Sequence, residues 1–282
     1  MRFIQDHENA HAVRLLCKLM KISKSSYYDR VERDAVFRPP DELESQIVTV
    51  FKDHKRRYGT RRLVAELKEA GFKVGRAKVR KVLAAHDLQA IQPKCFVPKT
   101  TRSHPNLRRS PNLLLDYGPI QSPDEVYVGD ITYLPVEGGK FAFLATFQDG
   151  FTRKLVGWEL ADHMRETLVL EALNKAIITR RHPKGLIIHT DGGGQYSSKA
   201  FRKKLSDLGF KQSMTRRDNH YDNAQAESFY SRFKAELLEG GIFQNVEDAR
   251  LETFDYIEGY YNTKRRHSSL GYICFFSNPI LL

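Results

Sequence analysis

The sequence predicts an α/β core, a mixed sheet with helices packed on it, preceded by an all-α segment. Three observations predict it. From residue 125, apolar residues follow a two-residue period in three successive stretches joined by glycine-containing turns. Helical and strand patterns then alternate, and before residue 92 the periodicity is helical throughout.

Taken in order, His11 to Val31 reads as two short helices around a turn. Val13, Leu15, Leu16, Leu19 and Met20 make the apolar face, and Ser23 can cap the second helix. A second pair follows Asp41, marked by Ile47, Val50 and Phe51 and then by Leu63, Val64 and Leu67, with a stop near Gly71. Arg76 to Leu83 forms the next helix, whose apolar Val79, Val82 and Leu83 leave Arg76, Lys78, Arg80 and Lys81 free to face solvent or a polyanion. Both segments read as helix–turn–helix packing. Residues 92–124 carry six prolines and scattered basic residues, the composition of an extended linker.

In the core, Val126, Val128, Asp130, Thr132 and Leu134 share one strand face, and Tyr127, Ile131 and Tyr133 the other. Strands from Phe141 to Phe147 and from Lys154 to Leu160 follow, with turns at Gly138-Gly139 and Asp149-Gly150. A helix from about Arg165 to Thr179 leads to a strand ending at Thr190, a short helix (Ser198 to Leu208), a strand (Phe210 to Thr215) and two longer helices. The expected division is 1–40 and 41–91 for the two helical modules, 92–124 for the linker, 125–240 for the core and 241–282 for a C-terminal helical extension.

Formal net charge is +12, and residues 1–120 alone hold 25 basic against 13 acidic side chains, leaving the rest neutral. A basic arm on a near-neutral domain suits a nucleic-acid partner. Cys17, Cys95 and Cys274 are too few and too scattered for a disulfide framework or a zinc site. The most apolar stretch, Phe141 to Phe147, is too short to span a bilayer, and the N-terminus lacks a signal-peptide core. A cytoplasmic, nucleoid-associated location is therefore expected.

Three acids carry the chemistry. Asp130 interrupts an apolar strand face, Asp191 ends an apolar strand at Asp-Gly-Gly-Gly, and Glu227 lies on a helix from about Asn223 to Leu238 whose core stripe is Ala226, Tyr230, Phe233 and Leu237. Each alone has an ordinary reading: a hydrogen-bonded strand acid, a turn aspartate, a solvated helix glutamate. Together they suggest a two-metal phosphoryl-transfer site, since paired divalent ions can activate an attacking oxygen and stabilise a leaving one. Lys234 projects within roughly 20° of Glu227, two turns on, and so offers a cation beside an acid. His189 is, by composition, more often a core histidine than a ligand.

The chain resembles the second-reading-frame transposases of the insertion-sequence-three family, relatives of retroviral integrases. The resemblance rests on Tyr58-Gly-Thr-Arg-Arg62, Gly129-Asp-Ile-Thr-Tyr133, His189-Thr-Asp-Gly192, Asp222-Asn-Ala224 with Glu227, Phe233-Lys-Ala-Glu236, and Tyr261-Asn262 followed by His267-Ser-Ser-Leu-Gly-Tyr272. The 35 residues between Asp191 and Glu227 are the family's own spacing. It implies a ribonuclease-H-like mixed sheet with flanking helices behind all-α helix–turn–helix modules. It also implies Mg²⁺-dependent 3′-end cleavage and strand transfer on double-stranded DNA, both element ends and target. Asp130, Asp191 and Glu227 would hold two Mg²⁺ ions, with Mn²⁺ able to substitute. Lys234 matches the family's DNA-contacting basic residue, and Asn223, Arg216, Arg217, Arg61, Arg62, Arg76 and Lys78 are further expected DNA contacts. A multimer on DNA and fusion to an upstream-frame partner are expected. The alternatives are a catalytically silent DNA-binding remnant or regulator of transposition, and a plain nuclease of similar fold.

Overall fold

The computed structural model describes residues 2–35, 41–92, 109–180, 184–216, 220–239 and 241–275. Helices α1 (Arg2–His7), α2 (Val13–Leu19) and α3 (Lys24–Ala35) enclose a small core of Ile4, Leu16, Cys17 and Tyr27. The Ser23 hydroxyl accepts the Ser26 N–H at 3.0 Å, the capping bond its position at the head of α3 suggests. Helices α4 (Glu42–Asp53), α5 (Thr60–Glu69) and α6 (Arg76–Ala85) form the second module around Ile47, Phe51, Leu63, Leu67 and Val79. Gly71 ends α5 with φ of 89°, a backbone region that favours glycine.

Strands β1 (Val126–Val136), β2 (Lys140–Asp149) and β3 (Leu155–Ala161) run antiparallel as a meander. Helix α7 (Glu166–Thr179) then crosses to β4 (Ile187–Thr190), which pairs parallel with β1. The short α8 (Gly194–Ser197) and α9 (Lys199–Asp207) lead to β5 (Lys211–Met214), parallel to β4. The order β3-β2-β1-β4-β5 makes a mixed five-stranded, ribonuclease-H-like sheet with β1 at its centre. Helices α10 (Ala224–Leu237) and α11 (Val246–Tyr256) complete it.

The two-residue period of β1 divides the core. Tyr127 packs with α7 and α9 on one face, beside Phe147, Leu173 and Phe201. On the other face, Val126 and Val128 meet Ala226, and Leu134 joins Phe229 and Phe233 of α10. Burying a ring such as Phe233, fully inaccessible, contributes about 1.5–3 kcal/mol. Gly157 lets α7 approach β3 closely, because a Cβ there would sit 2.3 Å from the Ala172 carbonyl oxygen.

Two features depart from the expected organisation. The second helical module is not a separate bead, since its core is continuous with that around α10 and α11. And although residues 93–108 lie outside the described part, residues 109–124 are not a free linker but are laid along the core. Leu113, Leu114 and Ile120 pack on Val126, Val128 and Ile187. The Leu113 N–H donates to Ser213 Oγ at 2.9 Å, and the Met214 N–H donates to the Pro111 carbonyl at 3.3 Å, so this segment lines the outer edge of β5. At the opposite edge, Asn262 bonds both the N–H and the C=O of Leu155, each at 2.9 Å, and Arg250 donates to the Leu160 carbonyl at 2.5 Å. No helix among the described residues is long and apolar enough to cross a membrane.

Candidate active site

Asp130 lies mid-strand in β1, opposite Thr146 of β2, on the face that meets α10. Gly129 precedes it for a steric reason: a Cβ there would come within 2.5 Å of the Phe147 ring. The Tyr230 hydroxyl of α10 donates to the Asp130 carbonyl at 2.7 Å, which ties helix to strand at this residue. Burial first, then the neighbouring charge of Asp191, push the Asp130 carboxyl up to about 8. Glu227 adds to the rise, while the Ile131 N–H (2.8 Å) and the Asn223 side-chain amide oppose it.

Asp191 follows β4, at the carboxyl end of a strand parallel to β1, where crevices form in such sheets. Its Oδ1 accepts the Gly193 N–H at 3.0 Å. Burial raises its pKa, against the Gly193 bond and the charge of Arg109. Arg109 donates to the Thr215 carbonyl at 2.7 Å and leaves no room for a side chain at Gly192. Reading the sequence missed Arg109; its available signal was an arginine pair within a proline-rich stretch.

Glu227 is exposed in the first turn of α10, near enough for its charge to act on Asp130. Among the described residues, no three His, Cys, Asp or Glu side chains already stand close enough to grip an ion. Asp130 and Asp191 form the inner pair and Glu227 stands at the rim. The donors nonetheless suit a hard divalent cation. They are oxygens, the charges of Asp191 and Glu227 both bear on Asp130, and the buried Asn223 Oδ1 beside them has no hydrogen-bond partner.

Lys234, expected beside Glu227, lies with its Nζ 4.1 Å from the Tyr133 ring centroid. Burial lowers its pKa and the charge of Asp130 works against that. Four of the expected DNA contacts have other partners. Asn223 is buried and turned to Asp130. Arg216 is held by Asp222 through Nε (3.1 Å) and Nη2 (3.0 Å), which keeps the Asp222 carboxyl far below the usual range. Arg62 donates from Nε to the Arg266 carbonyl at 2.9 Å and stacks toward Tyr58, so it belongs to the contact between module and core. Lys78 has an exposed ion pair with Asp41 at 3.8 Å. Arg61 and Arg76 line an open cavity of about 600 Å³ with Lys68 and Tyr272. Arg217 lies outside the described residues. His189 is a buried core histidine, its ring between Ser213 Oγ (2.8 Å) and the Asp222 carbonyl (3.0 Å), and burial lowers its pKa.

An integrase core domain family matches residues 121–220, a second integrase core domain family matches 208–274, and an HTH-like domain family matches 39–96. The transposase for insertion sequence element IS904 of Lactococcus lactis subsp. lactis is 38% identical over 231 residues, covering 82% of this chain and 90% of that protein. The transposase InsF for insertion sequence IS3A of Escherichia coli K12 is 33% identical over 275 residues, covering 95% and 94%. Among solved structures, the HTLV-2 integrase catalytic core domain in complex with magnesium is 17% identical with a TM-score of 0.37, covering 48% of this chain and 86% of that one.

Proposed function

This chain belongs to the IS3-family transposases, enzymes of the DDE transposase and integrase class, and from that premise we propose how it works: Mg²⁺-dependent cleavage at the 3′ ends of its element, then strand transfer into target DNA, at a two-metal site of Asp130, Asp191 and Glu227. The observation that carries the proposal is the convergence of acids on Asp130. A carboxyl held at about 8 by burial and two like charges is a costly arrangement for a purely structural acid, and a bound cation would reverse that cost.

Bound Mg²⁺ would supply activation of the attacking oxygen and stabilisation of the leaving one. The rest is the chain's own work. Asp130 presents its oxygens from β1 and Asp191 from just past the end of the adjacent parallel β4, rigid elements that hold the two near one another. Glu227 approaches from α10 and completes the donor set. Asn223 orients Asp130 through its amide. Asp222 anchors the entry to α10, gripped by Arg216 and Asn112 through its side chain and by His189 through its carbonyl. Lys234 offers its ammonium to a DNA phosphate, and the module of α4–α6, with Arg61 and Arg76 exposed, grips duplex DNA. Two copies or more assemble to bring two ends together.

The test is strand transfer on element-end DNA with Mg²⁺ or Mn²⁺, comparing the natural chain with Asp130→Asn. Equal activity in both would overturn the proposal. Tight, salt-sensitive end binding with no cleavage by the natural chain would establish the silent DNA-binder instead. Cleavage without joined product would establish the plain nuclease.

A further inference from the structure

Helix α10 carries Glu227 in its first turn and Glu236 in its last, about 13 Å apart along the axis. Glu236 is buried. It accepts both terminal nitrogens of Arg265, Nη2 to Oε1 at 2.7 Å, and the Tyr256 hydroxyl at 2.8 Å. Arg265 is equally buried, so neither charge can shift without leaving the other unpaired in the core.

The next residue turns the other way. Arg266 donates from Nε to Glu66 and from Nη2 to Glu69, both on α5 of the helical module. The backbone between the two heads is gripped by that module as well. The Tyr58 hydroxyl accepts the Arg266 N–H at 2.8 Å and donates to the Lys264 carbonyl at 3.2 Å, and Arg62 donates to the Arg266 carbonyl. A continuous series of bonds therefore runs from α5 through residues 264–266 to the last turn of the helix that bears Glu227.

We propose that Arg265 and Arg266 are positioning residues, a two-headed clamp through which the seating of the α4–α6 module on the core sets the lie of α10 and hence the reach of Glu227. This rests on the reading of Glu227 as part of the reacting site. The module is then more than a DNA grip, because how it sits on the core governs whether the rim acid closes on the inner pair. The geometry supports coupling over simple attachment. Attachment would need only the α5 side of the clamp, whereas the second head is buried on the helix that carries the acid.

The experiment uses the full chain with Glu66→Gln/Glu69→Gln, which loosens the module-side head at partly exposed positions, and Tyr58→Phe as an independent second variant. Hydrogen exchange by mass spectrometry reads the amides of residues 224–230, and end-DNA binding and Mg²⁺-dependent cleavage are measured in parallel. Exchange at 224–230 is expected to quicken at least about fivefold in both variants. End-DNA affinity should stay within about twofold, while the Mg²⁺ needed for half-maximal cleavage should rise about tenfold. Faster exchange confined to α5 and residues 264–266 would overturn the clamp. Equal losses of binding and cleavage at an unchanged Mg²⁺ requirement would also overturn it. Exchange is readable whether or not the natural chain cleaves DNA, so an inactive natural chain would defeat the functional reading alone and leave the clamp to the exchange result.

Discussion

Asn223 stands at the N-cap of α10, yet its side chain makes no capping bond and gives its amide to Asp130 instead. An N-cap asparagine ordinarily stabilises its own helix by about 1 kcal/mol. Here that bond is forgone, and the residue orients the central acid of the site. Asn223→Ala should therefore leave helix stability and end-DNA binding little changed while slowing cleavage about 10- to 100-fold. Its pH–rate profile should move to higher pH, because one group favouring the ionised Asp130 is gone. An unshifted profile with normal rate would refute the orienting role.

Asp130→Asn makes a second case. A carboxyl raised to about 8 in the folded chain, against about 4 unfolded, binds its proton more tightly when folded. Without metal, its contribution to stability falls as pH rises from about 4 to about 8, then levels off. The asparagine variant should abolish cleavage yet melt higher than the natural chain at pH 8, by about 2–4 °C for each kcal/mol relieved. The two should converge near pH 4. Calorimetry across that range checks it, and a lower melting temperature for the variant at pH 8 would contradict it.

Metal addition supplies a third. Below about pH 8 Asp130 carries a proton that a cation must displace, so Mg²⁺ affinity should rise about tenfold per pH unit from 6 to 7. Titration calorimetry in two buffers of different ionisation enthalpy would reveal the released proton. Identical affinity at pH 6 and 7 would count against binding at Asp130.

A fourth concerns Gly129. Gly129→Ala pushes a methyl into the Phe147 ring and should destabilise the chain by about 1–3 kcal/mol. Phe147→Leu in the same chain should recover part of that loss in denaturant melts. If the alanine variant is as stable as the natural chain, the steric account of this glycine is wrong.

Much of the fold was legible because period and punctuation are local. The alternation through β1 assigned Asp130 to the face shared with Val126, Val128 and Leu134, and the structure puts that face against α10. Ser23, Gly71 and Ser198 ended or began helices by their own chemistry. What escaped were relationships between distant residues. Helical phase leaves Glu236 beside the core stripe, and nothing near it in sequence announces that Arg265, 29 residues on, will bury with it. Arg62 and Arg216 looked like free cations because their partners, a backbone carbonyl at Arg266 and a carboxylate at Asp222, are set by tertiary packing. Residues 109–124 looked like a linker for their prolines, yet a segment laid along a sheet edge tolerates proline, and Pro111 supplies a carbonyl there.

That covered edge bears on how copies of the chain can meet. An open sheet ordinarily presents two rows of unsatisfied amides and carbonyls, an invitation to run on into a neighbour's sheet. Here residues 110–113 lie along one border, with the Pro111 carbonyl taking the Met214 N–H and the Leu113 N–H donating to the Ser213 hydroxyl, while Asn262 and Arg250 cap groups on the other. Strand addition is thereby discouraged at either border, so a nucleoprotein assembly of this protein would be joined through helices, side chains and the DNA itself, and could come apart again without unpicking a β-sheet.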